Sequence, residues 1–258
     1  MEWKMLKKRI IPVQLLLDDR LVKTLNFDQY RDVGDPIQSA KVYSAQHADE
    51  LIFLNINRNN RTIDPLLSLL EKLAEVCFMP LSLGGGIKTL DDVTSLIKHG
   101  ADKVVLNSIL YNGLDIVRNI ADKFGSQSIV ASIDIRRDDD ENFFSLYSNC
   151  GRKKENIDLL ELLYLLEKSG AGELFINSIN NDGVMMGYDV ALIKYVMDHT
   201  NLPVIACGGA GNYGHLKDAF AQSDVNALAC GSMFNFGDNN PIRAKAFLSN
   251  YDFLFKKV

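Results

Sequence analysis

Two glycine clusters are the strongest local signal for chemistry in this chain. Gly84-Gly85-Gly86 follows one short apolar run, and Gly208-Gly209-Ala210-Gly211 follows another. Glycines at a strand end, just ahead of a helix, let an anion approach bare backbone N–H groups closely. Polar pairs end the neighbouring runs, Asn107-Ser108 beside the first cluster and Gly231-Ser232 beside the second. Two phosphate cradles on opposite rims would suit a long substrate with a phosphate at each end. The plainer alternative is that the glycines only make tight turns. Asp134 closes the run Ser132-Ile133-Asp134, where a carboxylate could act as general acid or base. Its structural alternative is a salt bridge to Arg136 or Arg137. Asp182, in Asp182-Gly183, is either a second carboxylate facing the same cavity or an ordinary turn residue. Arg9, Glu50, Lys103 and Glu173 stand at the opposite ends of such runs. Two cations and two anions there could form a ring that stabilises a floor, or a gate for something small.

These residues must be held by the runs themselves. Strands are expected at Ile10–Leu15, Glu50–Asn55, Pro80–Leu83, Lys103–Leu106, Ser128–Asp134, Glu173–Asn177, Pro203–Cys207 and Ala227–Cys230. Most are apolar throughout, as strands buried on both faces are. Helices are expected over 62–70, where a capping residue and Pro65 open the stretch, and over 90–99, 110–124, 158–168, 189–199 and 213–222. Alternating β and α units in this number predict an α/β fold, a closed (β/α)8 TIM barrel, in which loops after strands form the active face. The longest irregular stretches, 18–34 and 138–155, fall on that face and are expected to be lids or binding loops. A 123-residue offset lays Glu50 over Glu173, and Pro80 to Gly86 over Pro203 to Gly209. One domain over 1–258 is therefore expected, built from two similar half-barrels of about 5–124 and 125–250.

Composition narrows the function. The 258 residues carry 28 Lys and Arg against 33 Asp and Glu, a net charge of −5. That balance argues against nucleic acid as a partner. No stretch is long and apolar enough to cross a membrane, and the apolar segment behind Lys7-Lys8-Arg9 reads as a strand rather than a leader. Four scattered cysteines without a CxxC pair fit a reduced cytoplasm and offer no metal site. The four histidines fall at helix ends or on helices, where surface or capping roles are expected.

In this order, the residues resemble the cyclase subunit of imidazole glycerol phosphate synthase. The resemblance runs from Met5 to about Phe236. It is carried by Lys8-Arg9-Ile10-Ile11, Gly34-Asp35-Pro36, Asp49-Glu50-Leu51, Gly84-Gly85-Gly86-Ile87, Ala101-Asp102-Lys103-Val104, Phe124-Gly125-Ser126-Gln127, Gly170-Ala171-Gly172-Glu173, Asp182-Gly183, Gly187-Tyr188-Asp189 and Gly208-Gly209-Ala210-Gly211. It implies a lyase-type barrel in a heterodimer with a glutaminase subunit. Ammonia from glutamine crosses the barrel to meet a bisphosphate ribulosyl-formimino-carboxamide ribonucleotide. The products are imidazole glycerol phosphate and an aminoimidazole carboxamide ribonucleotide. No cofactor is implied. By resemblance Asp134 is one of two catalytic aspartates, and Arg9, Glu50, Lys103 and Glu173 are the ammonia gate. Gly86, Asn107 and Ser108 belong to one phosphate site. Asp182, Gly183, Gly209, Gly231 and Ser232 surround the other. Lys23 corresponds to a lysine of a mobile first loop, and Asp102 and Gln127 to the glutaminase docking face.

The departures point elsewhere. Leu15 stands where the family has its other catalytic aspartate, Asn55 where it usually has aspartate, and Val184 where it has threonine. A leucine moves no proton, so altered chemistry at the receiving end is expected. The chain also resembles paralogues in surface-polysaccharide pathways that help amidate an amino sugar with a third, sugar-modifying protein. A true cyclase, and a silent phosphate-binding scaffold for a glutaminase, are the alternatives.

Overall fold

The structure is a computed structural model that describes residues 7–59, 61–138 and 144–256. Met5, residues 139–143 of the second long loop, and the two C-terminal residues lie outside the description.

The element order is β1 (Arg9–Leu17), β2 (Arg20–Thr24), β3 (Tyr30–Gly34), α1 (Pro36–Ala45), β4 (Leu51–Asn55), α2 (Asp64–Leu73), β5 (Leu81–Gly84), α3 (Leu90–Lys98), β6 (Lys103–Leu106), α4 (Asp115–Phe124), β7 (Ile129–Arg137), β8 (Phe144–Ser148), β9 (Lys153–Lys154), α5 (Leu159–Lys168), β10 (Glu173–Ser178), α6 (Val190–Met197), β11 (Val204–Cys207), α7 (Tyr213–Ser223), β12 (Ala227–Cys230), α8 (Ser232–Asn235) and α9 (Pro241–Ser249). Strands β1, β4, β5, β6, β7, β10, β11 and β12 are parallel neighbours, and β12 returns to β1. The chain therefore closes into the (β/α)8 barrel that its alternation predicts. The ladders are uneven: β7 and β10 share six residue pairs, Glu173↔Val130 to Ser178↔Ile135, whereas β11 and β12 share two.

Period-two alternation sorts each strand into an inner and an outer face. Ile11, Val13, Ile52, Val105, Val130, Phe175, Ile205, Ala227 and Ala229 fill the barrel interior. A larger apolar layer, including Ile10, Phe53, Leu66, Leu83, Ile133 and Leu192, lies between the sheet and the helices. Helix starts are secured as their sequences suggest. Thr89 and Asp92 form a reciprocal capping box on α3, and the Asp158 carboxylate accepts from the N–H groups of Leu160 and Glu161.

Several expectations need correction. The stretch 18–34 and the described residues of 138–155 are not irregular. β1 overshoots the barrel and pairs antiparallel with β2, which pairs with β3; β7 does the same with β8, and β8 pairs with β9. Lys23 is therefore in a strand rather than a loose loop. Helix α2 begins at Asp64 with Ile63 at its cap, so Thr62 does not cap it. The expected helix over 110–124 is broken. A 3-10 turn covers Ser108–Asn112, Gly113 takes φ +123, and α4 starts at Asp115. Helices α1 and α9 were not anticipated.

Candidate active site and floor

The floor comes first in each strand. Arg9 donates to Glu50 at 3.2 Å and to Glu173, and Lys103 donates to Glu50 at 2.8 Å and to Glu173 at 3.0 Å. The four side chains make one closed, charge-neutral ring. Ser82 donates its hydroxyl to Glu50. The carboxylates are the buried members, with side chains 3% and 9% exposed against 25% for Arg9 and 20% for Lys103. Burial works against the Arg9 charge, but the hydrogen bond and charge of Glu173, then Glu50, hold its pKa above the ordinary value. Directly above lies the apolar interior. Asp102 and Gln127 are both exposed just before β6 and β7, on this same face.

At the other end is a cavity of about 410 Å³. It brings together Lys23, Gly86, Asn107, Ser108, Asp134, Asp182, Gly183, Gly209, Gly231 and Ser232, and also Leu15 and Asn55; Val184, expected at the same mouth, does not line it and is exposed. Asp134 is 6% exposed, and Asn107 Nδ2 donates to its Oδ2 at 3.1 Å. Burial pushes its pKa up to about 7, with Asp182 adding to the rise and the Asn107 hydrogen bond opposing it. That places its proton exchange near neutral pH, as a general acid or base requires. Neither Arg136 nor Arg137 pairs with it; Arg137 is bound instead to Asp189 at 2.8 Å.

Opposite Asp134 the wall is apolar. Leu15 pairs in register with Leu54, whereas Asp134 pairs with Asn177. The same 123-residue offset relates Leu54 to Asn177. Asn177 is 8% exposed, lines the cavity and, among the described residues, finds no hydrogen-bond partner for its Oδ1. Its signal was present in the alternation Glu173, Phe175, Asn177, which puts all three inside the barrel. Cys150 and Cys207 also line the cavity, and sequence reasoning singled out neither. Burial, then the Asp182 charge, raises the Cys207 thiol well above its usual range.

Asp182 is partly committed to structure. Its Oδ2 accepts from the Thr24 hydroxyl at 2.7 Å and from the Phe27 N–H at 3.2 Å, tying the β2–β3 hairpin down. Burial nevertheless raises its pKa, against those hydrogen bonds and the Lys23 charge. Lys23 is 5% exposed and donates its ammonium to the Val13 carbonyl; burial lowers its pKa to about 8. Gly231 leaves room for it, since a Cβ there would stand 3.3 Å from Lys23 Nζ. Gly86 is required twice over, by a φ of +81 and by the Thr62 backbone, which a Cβ would strike. Among the described residues no cluster of three or more His, Cys, Asp or Glu could hold a metal ion.

The site thus joins a closed ion ring below an apolar core to two glycine-lined rims above it. The profile of the histidine biosynthesis protein family matches residues 9–240. This chain belongs to that family. Among curated relatives, the imidazole glycerol phosphate synthase subunit HisF of Staphylococcus carnosus is 39% identical over 246 residues, covering 95% of this chain and 97% of the relative. The putative imidazole glycerol phosphate synthase subunit hisF2 of Pseudomonas aeruginosa is 42% identical over 235 residues, covering 90% and 92%. HisF of Caulobacter vibrioides is 39% identical over 246 residues, covering 95% of each. This chain carries the floor ring and both glycine segments, with Leu15 at the mouth. No helix among the described residues is long and apolar enough to cross a membrane.

Proposed function

We propose that this chain is the ammonia-accepting synthase subunit of a two-subunit glutamine amidotransferase in the cytoplasm, with a glutaminase docked on the face that carries Asp102 and Gln127. The glutaminase releases NH3 beneath the ring of Arg9, Glu50, Lys103 and Glu173. Displacing one ring member opens a path into an apolar interior. That interior admits neutral NH3 and rejects NH4+, because an unpaired ion there loses its hydration without compensation. At the mouth the glycine segments, with Asn107, Ser108, Gly183 and Ser232, hold the phosphate groups of the acceptor. Asp134 exchanges the proton that the attacking nitrogen must shed. The reading of one domain built from two half-barrels is supported by the 123-residue offset and by the hairpins after β1 and β7.

The observation that carries this reading is the closed ion ring directly below the apolar core that leads to Asp134. The acceptor differs from the bisphosphate ribonucleotide of the cyclase reaction, because Leu15 and Leu54 present no proton carrier opposite Asp134. The acceptor class we favour is an amino sugar of a surface polysaccharide, presented with a third, sugar-modifying protein. The second reading is the cyclase reaction itself, favoured by the 39% identity to HisF subunits over nearly the whole chain. Complementation decides between them. Cells lacking the histidine-pathway cyclase should fail to grow without histidine on this chain, and Leu15→Asp should restore growth; growth on the unaltered chain establishes the cyclase reading. Glutamine hydrolysis by a co-purified glutaminase should rise when this chain is added. If it rises but no acceptor yields product, the chain is a scaffold.

A further inference from the structure

Two arginines at the mouth belong to no motif that the sequence singled out. Arg58 and Arg61 lie between β4 and α2, line the cavity and are half-buried. Their hydrogen-bond partners are neutral: Arg58 donates to the Phe27 carbonyl at 2.6 Å, and Arg61 to Asn149 Oδ1. Among the described residues neither has a carboxylate within ion-pair distance, although the surface elsewhere supplies such pairs freely, as in Arg20–Asp32 and Arg137–Asp189. A half-buried guanidinium left without a counter-charge has lost hydration that a bound anion could replace.

Their position is fixed relative to the first glycine segment. Asn149, which accepts from Arg61, donates its own N–H to Ser108 Oγ at 3.1 Å. The Cys150 thiol marks the convergence: burial and then Asp134 raise its pKa, while Arg58, by hydrogen bond and charge, and Arg61, by charge, lower it. Arg61 therefore stands at the Gly86, Asn107 and Ser108 end through Asn149 and Ser108, and Arg58 reaches Cys150 beside it while bonding to Phe27 of the hairpin that Asp182 holds. The other end is different. Its one lysine, Lys23, is bound to the Val13 carbonyl, and the charge of Asp182 lies within its electrostatic range.

We infer that Arg58 and Arg61 form a guanidinium clamp for a dianionic phosphate group, and that the cavity takes an acceptor whose negative charge is concentrated at that end. The inference rests on the ammonia-acceptor reading and names the class of acceptor. The Asp182 end takes a phosphate that carries a single negative charge, as a diester does, so the acceptor is not a symmetric bisphosphate. The dianion is either a terminal phosphate monoester or one half of a diphosphate.

Calorimetric titration of the full chain with inorganic phosphate and with pyrophosphate tests this. The unaltered chain binds at least one probe; preference for phosphate indicates the monoester and preference for pyrophosphate the diphosphate. R58Q/R61Q should weaken the preferred probe at least 30-fold and flatten its salt dependence, because two charge-assisted contacts are lost. Lys23→Met should weaken it at least tenfold less than the double variant. R58K/R61K, which keeps charge but not the planar fork, should fall between. Thermal unfolding of each variant confirms that it is folded. Binding of the double variant within threefold of the unaltered chain, an equal loss with Lys23→Met, or binding of neither probe overturns the inference. Stimulation of glutamine hydrolysis is read separately, so its absence would refute the glutaminase reading and leave the clamp standing.

Discussion

Replacing Asp134 with asparagine should make the protein more stable at pH 8 while removing its activity. Burial lifts the Asp134 pKa from an ordinary 3.8 to about 7. At about 1.36 kcal/mol for each tenfold change in proton affinity this is roughly 4 kcal/mol, a ceiling that structural relaxation and water entry lower to roughly 2–4 kcal/mol. The sign follows from proton binding. Between pH 4 and 7 the folded chain holds a proton at Asp134 that the unfolded chain has released. Stability from this group therefore falls as pH rises through that window, and the full cost is present above pH 7. Asparagine can still accept from Asn107 and carries no charge. Urea denaturation of both proteins at a series of pH values should show Asp134→Asn gaining on the unaltered chain from pH 4 to 7 and levelling off above it. Ammonia-dependent turnover of the acceptor should fall at least about a hundredfold. A stability difference that does not change with pH would refute the account of Asp134 as a desolvated carboxyl poised near neutrality.

Other predictions follow the same physics. Lys23→Met should stabilise the fold at pH 7 by roughly 2–3 kcal/mol, because burial lowers the lysine from 10.5 to about 8. That advantage should shrink from pH 8 to 10.5, where the unfolded chain holds the proton and the folded chain does not; denaturation across that range checks it. Lys103→Met leaves Glu50 and Glu173 with Arg9 as their sole cation in the ring, and should cost about 3–5 kcal/mol in a urea titration. Gly86→Ala should cost at least about 1–3 kcal/mol in the same assay, from a φ of +81 and the Thr62 backbone behind it.

The barrel was legible because its strands are buried on both faces, leaving nearly uninterrupted apolar runs. The floor ring was legible because a charge heading such a run sits at the barrel's rim, where it must meet an opposite charge or water. The hairpins were not. Tyr30–Gly34 is largely exposed and alternates in nothing, and it becomes a strand because β2 offers it an edge. Helix α1 has its start signal in the sequence, since Asp35 accepts from the Gln38 N–H and Pro36 opens the first turn, but few apolar residues follow to mark its length. Leu15 could be placed by counting from Arg9 in twos. Arg58 and Arg61 could not be placed, since their significance depends on which hairpin tips meet them, and that is a property of the closed barrel.

The unequal ladders have a mechanical consequence. With six shared pairs, β7 and β10 form the stiff stave of the cylinder, and it carries Asp134 and Asn177. With two, β11 and β12 form the compliant one, and Gly208-Gly209 and Gly231-Ser232 continue from its upper ends. Breathing should concentrate at that joint, where few backbone bonds must yield. One half of the mouth can then widen around guests of different girth while the proton-handling half keeps its geometry, so tolerance and accuracy are assigned to separate walls of the same vessel.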